Sequence, residues 1–294
     1  MRTLLVTGGA GFVSSHACKA LARAGYTPVT FDNLERGHDW AVKCGPLERG
    51  DLRDEKALRR AFERWNPCGV MHFAAYAYVG ESNVDPLKYY DNNVGGIANL
   101  LKACAAYECK KFIFSSSCAT YGLPSRLPLT EDHAQQPVNP YGYTKLVVER
   151  MLRDAEAAHG IRHVALRYFN AAGSDPDREL EEMHDPETHL IPLVLFTTMG
   201  RLSSIKVFGS DYPTPDGTCV RDYVHVSDLA DAHVAALDWL AAGQASSAFN
   251  LGNGRAFSVA DVVQTAAEVS ELTIKRPRRP TALRRSAGAN QRLH

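Results

Sequence analysis

The sequence predicts an α/β fold: a doubly wound, mostly parallel sheet followed by a smaller C-terminal α/β lobe. Three observations carry that expectation. Short apolar β-rich runs alternate with helix-length segments up to about residue 170, as parallel strands covered on both faces do. The first run enters the glycine-rich turn Gly8-Gly9-Ala10-Gly11, and a helix-length stretch follows it. The second run closes on Asp32, about 20 residues past those glycines, where such folds carry an acid.

In order, residues 3–6 read as a strand, 12–24 as a helix and 28–31 as a strand. A helix is expected over 55–65, a strand over 70–73, one long helix over 86–107 and a strand over 111–114. The next helix opens near Tyr141, after Asn139-Pro140, and a strand over 162–168 closes the series. Residues 173–189, rich in Asp, Glu and Pro without a period, read as a long loop. Shorter elements are expected at 191–198, 205–208, 226–240, 249–251 and 259–269. The domain reading is therefore a dinucleotide-binding, Rossmann-type domain over 1–170, joined by later segments near 221–252. A smaller interleaved lobe covers 171–280, and 281–294 form a separate tail.

Composition narrows the function classes. The chain is 45% hydrophobic and 22% charged, and its 33 basic residues balance its 33 acidic ones. With no basic block, nothing points to nucleic acid or an anionic membrane surface. No run approaches a membrane span, and residues 1–6 are too short for the apolar core of a signal peptide. The seven cysteines are scattered and show no C-x-x-C pair. They read as reduced thiols of a cytoplasmic protein, and no metal site is expected.

The turn after the first strand suits a pyrophosphate. Glycine permits positive φ and lets the phosphate approach the N–H groups of a helix N-terminus. Gly8, Gly11, Phe12 and Val13 are the expected cradle, and Ser14 stands where a third glycine is usual. The carboxylate of Asp32, with Asn33 beside it, can accept from both ribose hydroxyls and repels a 2′-phosphate, which favours NAD over NADP. Asp51-Leu52 and Phe73-Ala74 sit at further strand ends, the ligand edge of an open sheet.

A second group carries chemistry. Tyr141-Gly142-Tyr143-Thr144-Lys145 opens a helix, and positions i and i+4 share a face. Lys145 is then expected to stabilise a Tyr141 phenolate, making it a base for a sugar hydroxyl while NAD takes the hydride. Tyr143 lies on another face. Upstream, Ser115-Ser116-Ser117 ends a strand from which hydroxyls are expected to reach the same substrate oxygen, though backbone capping is the ordinary role of a strand-end Ser115 or Ser116.

These residues resemble the extended short-chain dehydrogenase/reductase family, in its UDP-glucose 4-epimerase branch. The likeness runs from residue 1 to about 280 through several long segments. They include His72-Phe73-Ala74-Ala75, Tyr89-Tyr90-Asp91-Asn92-Asn93-Val94, Leu166-Arg167-Tyr168-Phe169-Asn170 and Val220-Arg221-Asp222-Tyr223-Val224-His225. The resemblance implies tightly held NAD and a cycle in which C4 of a UDP-hexose is oxidised and reduced on its other face. It implies Tyr141, Lys145 and Ser117 as the catalytic group, with Asn92, Ser115 and Tyr168 on the cofactor side. It further implies Asn170, Leu190, Phe208, Arg221 and Arg278 around the UDP-sugar, and a homodimer through helices near 86–107 and 141–154.

The sequence departs from the family at Ser14, at Ala77, where many members carry lysine, and after Pro280. Ala77-Tyr78 leaves a UDP-pentose 4-epimerase as an alternative. Residues 281–294 are basic and lack the family's continuation, which suggests a shifted frame or an internal loss and a tail that does not fold. A second alternative is accordingly a non-catalytic NAD-binding remnant.

Overall fold

The computed structural model describes residues 2–124 and 126–274 in full, and the backbone of 278–279. Chain order alternates strand and helix as the sequence predicts. It runs β1 (Arg2–Thr7), α1 (Phe12–Arg23), β2 (Tyr26–Asp32), β3 (Leu47–Arg49), α2 (Glu55–Trp65) and β4 (Val70–His72). Next come α3 (Val79–Val84), α4 (Pro86–Tyr90), a π turn at Asp91–Gly95, α5 (Gly96–Ala106), β5 (Lys111–Ser117) and α6 (Pro140–His159). The chain continues with β6 (Arg162–Tyr168), β7 (Asn170–Ala172), α7 (Leu190–Thr198), β8 (Val207–Phe208) and β9 (Val220–His225). It closes with α8 (Val226–Ala241), β10 (Ser247–Leu251), β11 (Ala256–Ser258), α9 (Val259–Ser270) and β12 (Arg278–Arg279).

Seven strands form one parallel sheet in the order β10-β6-β5-β4-β1-β2-β3. Alternation along each strand sends side chains to opposite faces. Leu5, Val29, Phe31, Val70, Phe112 and Phe114 pack against α2, α5 and α6 through Leu58, Phe62, Ile97, Leu100, Val148 and Leu152. On the other face Leu4, Val6, Met71, Ile113, Val164 and Leu166 meet Ala17 and Leu21 of α1 with Ala230, Leu237 and Leu240 of α8. The order reverses between β1 and β4, so the loops after these strands diverge and open a crevice at their carboxyl ends.

Caps set the helix that carries the chemistry. Asn139 is the N-cap of α6, its Oδ1 accepting from Gly142 N–H at 2.8 Å, and Pro140 fixes the first turn. Gly160, with φ 66°, ends it.

The expected long helix over 86–107 is divided by the π turn. There Asn93 turns inward, accepting from Tyr76 N–H at 2.9 Å and donating to Tyr76 O at 3.0 Å and Thr144 Oγ1 at 3.1 Å. The wider turn ties the loop after β4 to α6, a long-range bond that no local period announces.

The loop expected over 173–189 has no regular structure. It is held down by Lys19, which binds Asp175, Asp177 and Glu179 at 2.7–2.8 Å. Beyond it lie two small sheets, β11-β9-β7 and β12-β8, and a modest core of Val194, Ile205, Val263 and Ile274. The tail expectation falls on residues outside those described.

Candidate active site

A cleft of about 910 Å³ runs along the carboxyl ends of the central strands. Its floor is the turn after β1. Gly8 has φ +72°, and a Cβ there would stand 2.5 Å from Ala74 N, so only glycine lets the β1 and β4 ends meet. Ser14 does not crowd this turn. It is 2% exposed, donates to Gly8 O and accepts from Gly11 N–H at 3.1 Å, which ties the turn to the first turn of α1. The first-turn N–H groups of α1, including those of Phe12 and Val13, have no acceptor within the helix, and both residues line the cleft beside Gly11.

Asp32 is buried at the end of β2. Its carboxylate accepts from Ala10 N–H at 3.1 Å and Leu34 N–H at 2.8 Å. Burial is the larger influence and raises its carboxyl above the usual range, while the two N–H groups pull the other way. Beside it Asn33 Nδ2 donates to Asp51 Oδ2 at 2.9 Å. Arg53 grips the same carboxylate and holds it well below its usual range. A glycine turn, open helix N–H groups and an acid on the neighbouring strand fit a dinucleotide.

At the other end of the cleft three elements meet. β5 ends in the serines, β6 ends in Tyr168, and α6 presents Tyr141 and Lys145. Lys145 is 4% exposed, donates to Ser115 O at 2.7 Å, and lies 5.8 Å from the centre of the Tyr141 ring. Ser115 Oγ and Tyr168 Oη share a hydrogen bond of 2.6 Å. Ser117 accepts from Ala119 N–H at 3.1 Å and also hydrogen-bonds the Tyr141 phenol, whereas the Ser115 and Ser116 hydroxyls, expected as backbone caps, bond the Tyr168 and Glu149 side chains.

The electrostatics differ from the sequence expectation. Burial, and next the neighbouring Tyr168, push the Tyr141 phenol above its ordinary value, and the Ser117 bond only partly offsets them. Burial likewise lowers Lys145 to about 7, against a rise due to Glu149. Desolvation favours the neutral form of each group and is the largest influence on both. Two neutral imidazoles stand behind. His72, bonded to Thr7 at 2.7 Å, is lowered to about 3, and His233 to about 4, both by burial.

The structure brings most of the sequence candidates together. Gly8, Gly11, Phe12, Val13, Asp32, Asn33, Asp51, Leu52, Phe73, Ala74, Asn92, Ser115, Ser117, Tyr141, Lys145, Tyr168, Asn170 and Arg221 all line the cleft. Tyr143 is exposed, as its spacing requires. Leu190 and Phe208 are not among the lining residues. Leu190 packs on the small second core, and Phe208 is 46% exposed on β8. Arg278 lies on β12 beside Val207, with its side chain outside the described residues. Arg221 pairs with no carboxylate among the described residues, whereas Asp222 accepts from Asn253 and Gly254 N–H groups.

Sequence reasoning missed the cleft's outer wall. Arg36 donates to Asp185 O at 2.7 Å, and Tyr78 donates to Pro186 O at 3.2 Å, so the 173–189 loop straps across the opening. On this strap Glu182, His184, Glu187 and His189 face one another, with His189 Nδ1 2.8 Å from Glu187. Burial and Glu187 raise the Glu182 carboxyl to about 8, which relieves the crowding of charge. The spacing H-x-x-E-x-H could have flagged that cluster. Nothing local marks its contact with Tyr78.

Comparisons with known proteins agree with this geometry. The UDP-glucose 4-epimerase of Rhizobium meliloti (strain 1021) is 51% identical over 268 residues, covering 91% of this chain and 82% of that protein. A crystal structure of UDP-glucose 4-epimerase from Brucella ovis in complex with NAD superposes with a TM-score of 0.93 at 47% identity, covering 100% of this chain and 96% of that one. The Bifidobacterium longum enzyme, solved in complex with NAD+ and UDP, gives a TM-score of 0.90 at 38% identity, covering 95% of this chain and 86% of that one. Residues 4–252 match the NAD dependent epimerase/dehydratase family, and the chain belongs to it.

Proposed function

We propose that the chain is a UDP-glucose 4-epimerase, which inverts C4 of a UDP-hexose reversibly through a 4-keto sugar while NAD stays bound. The observation that carries this reading is the meeting of Ser117, Tyr141 and Lys145 with the glycine turn and Asp32 in one cleft. NAD, when bound, supplies the hydride acceptor and donor at its nicotinamide.

The protein's own residues do the rest. As a phenolate Tyr141 takes the proton from the sugar O4 while the C4 hydride leaves, and as a phenol it returns that proton when the hydride comes back; the Ser117 hydroxyl holds the oxygen in line. Lys145, anchored on Ser115 O, offers an ammonium that supports the phenolate before it takes the proton and again after it gives the proton back, and a donor to the nicotinamide ribose. Asp32 and Asn33 take the adenosine ribose, and the open end of α1 takes the pyrophosphate. Asn170 and Arg221 are assigned to the UDP-sugar, where a guanidinium whose described partners are the Cys219 thiol at 2.7 Å and Val220 O suits a diphosphate. Arg278 is assigned to the same ligand from the sequence, as are Leu190 and Phe208 should the second lobe close on it. The two-part division, cofactor domain over 1–170 and substrate lobe over 171–280, follows from those assignments.

Partner and location complete the reading. Val84, Leu87 and Tyr90 are exposed on α3 and α4, and Tyr143 on neighbouring α6. A homodimer covers that apolar face, with a second copy against it. No helix among the described residues is long and apolar enough to cross a membrane, and all seven cysteines are free, which suits a cytoplasmic enzyme.

The test is purification without added cofactor. Denatured protein is expected to release about one NAD per chain, and native protein to convert UDP-galactose to UDP-glucose, with UDP-xylose as the competing substrate. NAD without turnover of either sugar contradicts the reading.

A further inference from the structure

Behind the Tyr141–Lys145 face lies a layer of charge that the reaction above leaves unused. Glu149 sits one turn beyond Lys145 on the same face of α6 and is 3% exposed. Its carboxylate accepts from Arg167 at 2.9 and 2.6 Å, from Ser116 Oγ at 2.6 Å and from Gln135 Nε2 at 3.0 Å. Arg167 donates in turn to Tyr121 Oη at 2.7 Å. Burial opposes the charge on Glu149, but the Arg167 pair overcomes it and holds the carboxyl below its usual range.

A buried ion pair is weak evidence for stability, because well-packed apolar residues often serve as well. This one has two links forward. Ser116, which it grips, lies between Ser115, whose carbonyl anchors Lys145, and Ser117, which bonds Tyr141. The second link is electrostatic. Lys145 is faced by Tyr141 on its own helix, by Ser115 O and the Phe114 ring on β5, by His72 on β4, by Tyr168 on β6 and by His233 on α8. None of these carries a negative charge at neutral pH, and Glu149 does.

We propose that Glu149 is a positioning residue for the epimerase reaction: clamped by Arg167 and Ser116, its carboxylate fixes the serine strand end and favours the Lys145 ammonium that serves Tyr141. The inference rests on the epimerase reading, and wild-type turnover of UDP-galactose serves as the control that separates the two.

The test is the pH profile of kcat in Glu149→Gln and in the double variant Glu149→Gln/Arg167→Met. The single change removes the negative charge and leaves Arg167 unpaired. Its alkaline limb, where the ammonium is lost, should move about one pH unit lower. The double change removes both buried charges and is the variant more suited to fold. Because Glu149 stands closer to Lys145 along the helix, its limb should fall between those of the single variant and the wild type. Glu149→Asp, which keeps the charge, should keep the wild-type limb even where kcat drops. A folded double variant, retaining bound NAD, whose limb coincides with that of the wild type overturns the proposal. Absence of turnover in the wild type overturns the epimerase reading itself.

Discussion

At Tyr141 two effects compete. Burial, with Tyr168 as a lesser cause, pushes the phenol up, and Ser117 pulls it down. The residue therefore matters as a proton carrier whose charge must be supported during turnover, and removing its oxygen removes the step. Tyr141→Phe should lower kcat by about 10²–10⁴-fold while leaving NAD bound, measured by turnover and by cofactor release on denaturation. Ser14 makes the opposite kind of prediction. Its hydroxyl serves the turn through Gly8 O and Gly11 N–H. Ser14→Ala should cost about 1 kcal/mol in urea unfolding and weaken NAD retention.

The buried imidazoles give a pH prediction. His72 and His233 have folded values of about 3 and about 4, below the ordinary 6.5, so the fold holds them neutral. Their contribution to stability is complete above about pH 6.5 and is lost as pH falls towards those values, because the unfolded chain takes up the protons first. The loss approaches about 1.4 kcal/mol per pH unit for each group. His233→Leu should flatten the decline in unfolding free energy between about pH 6 and pH 4, and an unchanged slope contradicts the assignment.

Among the elements, β1–α1 and α6 were legible because their chemistry is local. The glycine turn, the acid closing β2 and the i, i+4 pair Tyr141–Lys145 each lie within one strand or one helical turn. The π turn at Asp91–Gly95 was not legible, since its reason is Asn93 reaching Tyr76 and Thr144 across the fold. Asn93→Ala should leave the Tyr76 N–H and C=O without their buried partner and remove the donor to Thr144 Oγ1, which keeps its bond to Tyr141 O. It should cost about 2–3 kcal/mol in unfolding and lower kcat through a loosened α6. The strap over 173–189 escaped for the same cause. Its contacts with Arg36 and Tyr78 join segments far apart in sequence, and an aperiodic acidic stretch carries no sign of what it covers. Glu149 was within reach, one turn past Lys145, but its meaning depends on Arg167 from another strand.

For the whole molecule, the doubly wound sheet followed from strand and helix alternation, and the crevice position followed from the strand order. The surface is less transparent. Val84 and Leu87 are 86% and 77% exposed, and burying them would release apolar surface from water. Under the proposed homodimer, Leu87→Glu should shift the mass measured by light scattering from two chains towards one, with little change in the bound NAD.

In the proposed reaction a hydride leaves C4 and returns to it without meeting solvent. It is tested most directly with UDP-galactose carrying deuterium at C4, converted in ordinary water and analysed by mass spectrometry. A hydride held on NAD and returned gives UDP-glucose that keeps its deuterium at C4. Loss of the label to solvent would show that a proton, and not a hydride, is removed, and would contradict it.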